Sequence, residues 1–160
     1  MLAVVKSVLL AMALCFVASA ATGSDPYTNL RPEERAILRP AIDRWIHDQV
    51  TRDWKDLWEI QDQTSDLKNE LLLGRRDAPD LDREQYVEAM NETMGSGYWT
   101  IQSFSLREIR REKEGYWVLG CGKLKREEWH QVSVTDVHIR MMDGKPKFGL
   151  PGGTPDSCKL

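Results

Sequence analysis

Between Ile37 and Val50 apolar residues recur every three or four positions, as Ile37, Leu38, Ala41, Ile42, Trp45, Ile46 and Val50. That spacing predicts an amphipathic helix. Pro32 suits its first position, and Glu33 and Glu34 face the positive end of its dipole. Pro40 removes a backbone donor inside the same run, which predicts a kink or a fresh start there. A shorter helix is predicted over residues 53–60, carrying Trp54, Leu57 and Trp58. Residues 61–80 carry the least pattern, although Leu67 and Leu71 to Leu73 suggest a further helical turn or two closed by Gly74. Then Asp82 and Gln85 have the spacing of a reciprocal cap, and Leu81 and Tyr86 that of a hydrophobic staple. Tyr86, Val87, Met90 and Met94 form the stripe of the helix that follows, and Gly95 supplies its stop.

From Tyr98 the period changes to two. Strands are predicted over residues 98–111, 116–126, 129–141 and 145–150, divided by Glu114-Gly115, Arg126-Glu127-Glu128 and Asp143-Gly144. The Asp-Gly pair is a strong hairpin signal. The apolar phase slips in the first strand, where Trp99 and Ile101 give way to Phe104 and Leu106 and then to Ile109. It slips again in the third, where Val132 and Val134 give way to Val137, Ile139 and Met141. A slip of one residue is the mark of a β-bulge, and bulges bend a sheet. Helices followed by a strongly curved antiparallel four-stranded meander define an α+β domain.

The order of these elements carries a resemblance. A long helix, a short Asp-Trp-x-x-Leu-Trp helix, a capped helix with Tyr-Val-x-x-Met, a GYW strand, a GCGK strand and a strand ending in DGK together resemble the NTF2-like superfamily, also called SnoaL-like or cystatin-like. The resemblance covers residues 33–150 and implies a cone in which a bent sheet wraps a long helix around a pocket. Members have a hairpin between the second and third helices, and residues 61–80 show no such pattern, so the cone is expected to be incomplete on that side. The superfamily includes isomerases, dehydratases, hydrolases and binding modules, so fold does not supply function.

The N-terminus sets the compartment. Lys6, an apolar run from Val8 to Ala18 and the small residues Ala18-Ser19-Ala20 have the order of a secretory signal peptide, and the run is too short for a comfortable transmembrane helix. The expected organisation is a signal peptide at residues 1–20, a tether at 21–31, the domain at 32–150 and a tail at 151–160. The mature protein is expected to be secreted or periplasmic, without a membrane anchor. With 22 basic and 25 acidic residues the chain lacks the basic footprint of a nucleic-acid binder.

Candidate chemistry is sparse. Asp43 and His47 are four apart on the long helix and could act as an acid–base pair, but both lie off the apolar stripe. Asp136 and His138 share a strand face near the expected bulge, where side chains are re-aimed; a solvated face is the plainer reading. The histidines have no metal-ligand spacing, and neither Gly120-Cys121-Gly122 nor Pro151-Gly152-Gly153 has the context of a phosphate loop, so neither metal nor cofactor is expected. After signal removal only Cys121 and Cys158 remain. In an oxidising compartment they are a candidate disulfide; otherwise Cys121 is a small buried hydrophobe with Cys158 free. By parity Cys121 shares a face with Trp117 and Leu119. The functional expectation is a non-catalytic module that binds a small apolar ligand or a partner, with a homodimer through the sheet as one form. A lyase- or isomerase-type pocket enzyme and a structural protein with a filled cone are the alternatives.

Overall fold

The computed structural model describes residues 25–63, 81–95, 100–154 and 158. The expected signal peptide, most of the poorly patterned stretch after the second helix, and Trp99 lie outside them. Among the described residues three helices, α1 (Pro32–Thr51), α2 (Trp54–Ile60) and α3 (Arg83–Gly95), precede an antiparallel sheet. Its strands are β1 (Thr100–Glu112), β2 (Gly115–Arg126), β3 (Trp129–Met142), β4 (Lys145–Phe148) and β5 (Gly152–Thr154). The order is β1-β2-β3-β4, with β5 also on β3, and the sheet is open. This is an α+β domain. Among the described residues no helix is long and apolar enough to cross a membrane.

Local chemistry explains the element ends. α1 begins at Pro32 and runs unbroken through Pro40 to Thr51, instead of restarting at the proline. Pro40 and Ala36, whose carbonyl loses its helical donor, are both exposed, so water can replace the missing bond. α1 ends where Arg52 turns left-handed, at φ 61°, and the Asp53 N–H closes on the Asp48 carbonyl at 2.9 Å. Asp53 then caps α2 by accepting from the Asp56 N–H at 3.0 Å. At α3 the Gln85 N–H donates to Asp82 and the Asp82 N–H donates to Gln85, the reciprocal cap read from the sequence.

The sheet departs from the expected pattern in two places. β1 has two register shifts against β2, between Ile101 and Ser103 and between Leu106 and Glu108, where its apolar phase slips. β3 has none: its pairing with β2 runs in one register from Trp129 to Arg140. Ser133, Thr135, Val137 and Ile139 all face inward, and Val132 and Val134 lie on the other face, in line with Cys121. The phase change in β3 therefore records cover on the outer face and not a bulge. The second departure is β5, a fifth strand within the expected tail, which pairs with Val134 to Asp136 of β3.

The helices cover the inner face of the sheet. Trp45 is fully buried, stacked on Phe148 at 5.7 Å and edge-on to Phe104 at 5.5 Å. Leu38, Ile42, Leu57, Tyr86, Ile109, Val118, Val137 and Ile139 complete this interior. Ile37 and Val50, read as part of the α1 stripe, are exposed, while Glu34, Asp48 and Gln49 are buried. Tyr27 and Leu30 are also buried, so the expected tether joins the core from its second half onward. Gly120 is needed where the Phe104 ring crosses β2: a Cβ there would lie 2.3 Å from the ring.

Candidate functional site

The four acid–base candidates are not brought together. Asp43 and His47 are exposed on α1, and His47 borders an open groove with Thr51, Lys55, Val87 and Asn91. Asp136 and His138 lie on the outer face of the sheet, away from the helices. Both stand against Trp117, and each has its own polar contact. Asp136 accepts the Trp117 indole N–H at 2.9 Å, and His138 Nδ1 stands 3.4 Å from the Glu112 carboxylate. Arg110 stacks over Trp117 at 5.0 Å and is itself paired with Glu108. The arrangement is a surface network of aromatic, cation and carboxylate on the outer face of the sheet.

Cys121 and Cys158 are bonded, with their Cα atoms 5.6 Å apart. Cys121 is buried on the outer face, in register with Val134 of β3, which in turn is in register with Thr154 of β5. The bond anchors Cys158 over β2, one strand beyond β3 from β5. Cys121 therefore has a structural position and carries no free thiol.

Three buried acids escaped the sequence reading. Glu34 points from the first turn of α1 to the inner sheet face. It accepts Arg111 Nε at 3.0 Å, the Tyr116 hydroxyl at 2.9 Å, and both the side chain and the backbone N–H of Arg31. The Arg111 guanidinium, then Arg31, holds its carboxyl far below the ordinary carboxylate range. Asp62 accepts from Arg140 at 3.1 Å, while its backbone N–H and the Gln61 side chain both donate to the Phe148 carbonyl. Asp48 differs from both. Burial, with Asp56 next, pushes its carboxyl up to about 6. One of its oxygens has no hydrogen-bond partner among the described residues, and Arg44, 3.8 Å away, is committed to Asp56. For Glu34 the available signal was spacing, since it shares one helical face with Leu38, Ile42 and Trp45.

Two further features could receive a partner molecule. The Ser133 and Thr135 hydroxyls are buried on the inner face of β3 without hydrogen-bond partners among the described residues. Outside, the ends of α1 and α2 and the length of α3 frame two adjoining open grooves of about 620 and 410 Å³, which share Lys55, Val87 and Asn91. Among the described residues no three acidic, histidine or cysteine side chains cluster as a metal site.

No protein-family model matches the chain, and no curated protein matches it. Among solved structures it is similar to that of Bdellovibrio bacteriovorus Bd1075, with a TM-score of 0.53 and 12% identical residues. The likeness covers 79% of this chain and 42% of that one, so this chain spans less than half of Bd1075. At that identity the likeness concerns the fold alone.

Proposed function

We propose that the chain is an exported module of NTF2-like architecture that acts by binding a partner and not by catalysis. The packing of Trp45 carries this reading. Its ring fills the space between α1 and the sheet, where the fold would otherwise hold a substrate, and its two faces of contact are already taken by Phe104 and Phe148. Catalysis by an acid–base pair needs titratable groups converging in a cavity. Asp43 and His47 stand in solvent on α1, and Asp136 and His138 are on the far face of the sheet. The likeness to part of a longer chain fits a fold used as one module among others. Secretion or periplasmic residence is supported by the signal-peptide pattern and by a disulfide that needs an oxidising compartment.

A second reading, a small-ligand site on the inner face, is favoured by the Ser133 and Thr135 hydroxyls, unpartnered among the described residues. Native mass spectrometry of protein from its own source distinguishes the two. The expected spectrum has an N-terminus near Ala21 and a macromolecular partner or none. A bound small molecule lost on Thr135→Val would replace the first reading by the second, and turnover of any bound compound would overturn both.

A further inference from the structure

Glu84, Glu88 and Glu92 stand four residues apart on α3 and are all exposed, so they form one row along its surface. Neighbours in the row are about 6 Å apart along the helix axis. Like charges at this spacing repel. Glu92 also stands in the last turn, where the helix dipole disfavours an acid and no basic residue offsets it. Among the described residues none of the three is held in an ion pair. The row therefore weakens α3 in the free protein and lacks a counter-charge. It lines the larger of the two open grooves, and Val87 and Asn91 lie where that groove joins the smaller one. Arg83, at the head of the row, is already engaged: it donates to the Lys55 carbonyl at 3.4 Å and stands 3.6 Å from Glu59.

We propose that the groove along α3 is a docking site for a basic helical segment of a partner protein, whose Lys or Arg residues meet Glu84, Glu88 and Glu92. The inference rests on the binding-module reading and gives that module a surface. Both grooves are open, so a small molecule there would keep much of its surface in water, whereas small-ligand pockets enclose most of theirs. A helix laid beside α3 repeats the same spacing, so cations four residues apart on it keep step with the row. An apolar residue of the same segment would seat at Val87, which is half-buried. Arg52 and Lys55, at the α1–α2 corner, repel the cationic side from the opposite wall and turn it toward α3. A second copy of this chain is a poorer occupant. Its own basic row, Arg31, Arg35 and Arg39 on α1, is already held, the first by Glu33 and Glu34 and the other two by Tyr27.

Selection of random sixteen-residue peptides displayed on phage, against the intact disulfide-bonded protein, tests the proposal. The expected peptides carry Lys or Arg at intervals of three or four and gain helical circular dichroism on binding. Their affinity should fall at least tenfold on Glu84→Gln/Glu88→Gln/Glu92→Gln, and at least tenfold again in 0.5 M salt. Glu114→Gln, at an exposed acid of the β1–β2 turn, should leave it unchanged. The triple variant should melt no lower than wild type, because it relieves repulsion along α3, so lost binding there is not lost fold. Acidic peptides, peptides indifferent to the triple variant, or no enrichment would overturn the proposal. Equally tight binding of spermidine alone would give the row to a small polycation, and self-association in light scattering that the triple variant dissolves would give it to a second copy; either result overturns the proposal. A native partner that binds the triple variant as well as wild type would remove this surface and leave the binding-module reading standing.

Discussion

Replacing Asp48 by asparagine should make the protein more stable at neutral pH and leave it unchanged in acid. Asp48 is 1% exposed at the α1–α2 corner, where it shares one arginine with Asp56. Burial first, then the negative charge of Asp56, raises its carboxyl from the ordinary 3.8 to about 6. A group whose folded pKa lies above its unfolded value favours the fold while protonated, and that advantage is lost as pH rises through the folded pKa. The difference corresponds to a ceiling of about 3 kcal/mol at 1.36 kcal/mol per pH unit. Asp56 opens to solvent on the other side of Arg44, and screening there reduces the figure to about 1–2 kcal/mol. The asparagine side chain keeps the shape and cannot ionise. Thermal melts of wild type and Asp48→Asn across pH 4 to 8 read the effect. The variant should melt higher by roughly 3–6 °C at pH 7.5, with the gap closing between pH 6 and 4. A variant less stable than wild type at pH 7.5, or a gap that does not change with pH, would refute the argument.

Glu34 has the opposite sign: its carboxyl is held low by Arg111 and Arg31, so Glu34→Gln should lower the melting temperature at pH 7. The deficit should shrink as pH falls below about 4.5, where the wild-type carboxylate starts to lose its advantage. Trp45→Ala empties the centre of the interior and should cost about 3–5 kcal/mol in urea unfolding, whereas His47→Ala, at an exposed position, should change stability by less than about 0.5 kcal/mol. Cys158→Ser opens a loop whose ends are 37 residues apart and should cost up to about 4 kcal/mol on the chain-entropy account. Amide exchange in the Cys158→Ser variant should speed up in β5 more than in β4, since only β5 depends on the tail being anchored.

How far the molecule could be read in advance depended on whether the cause was local. Pro32, the Asp82–Gln85 pair and Asp143-Gly144 act on their own neighbours, and the structure begins or turns the chain at each. The phase slips in β1 were legible because its inner face meets one continuous core. The same reasoning failed in β3, where Val132 and Val134 are apolar for the sake of the outer face, and parity alone does not say which face is covered. Gly-Gly-Thr has no strand propensity of its own, so β5 was invisible. The candidate residues were chosen by chemical type, and type does not report burial. Glu33 and Glu34, or Asp43 and Asp48, differ only in which side of α1 they occupy. The placement of Asp48 against Arg44 and Asp56 arises from the α1–α2 corner, which the spacing of α1 alone does not contain.

The disulfide also imposes an order on biogenesis. Cys121 lies in β2, and β3, β4 and β5 all fall between it and Cys158. A chain emerging N-terminus first presents Cys121 as a lone thiol until all three strands have followed. In the folded sheet Cys121, Val134 and Thr154 stand in one row, and a slip of one residue between β2 and β3 would turn the row to opposite faces. In the folded molecule the oxidised pair thus ties the last part of the chain to a strand laid down before β3, β4 and β5.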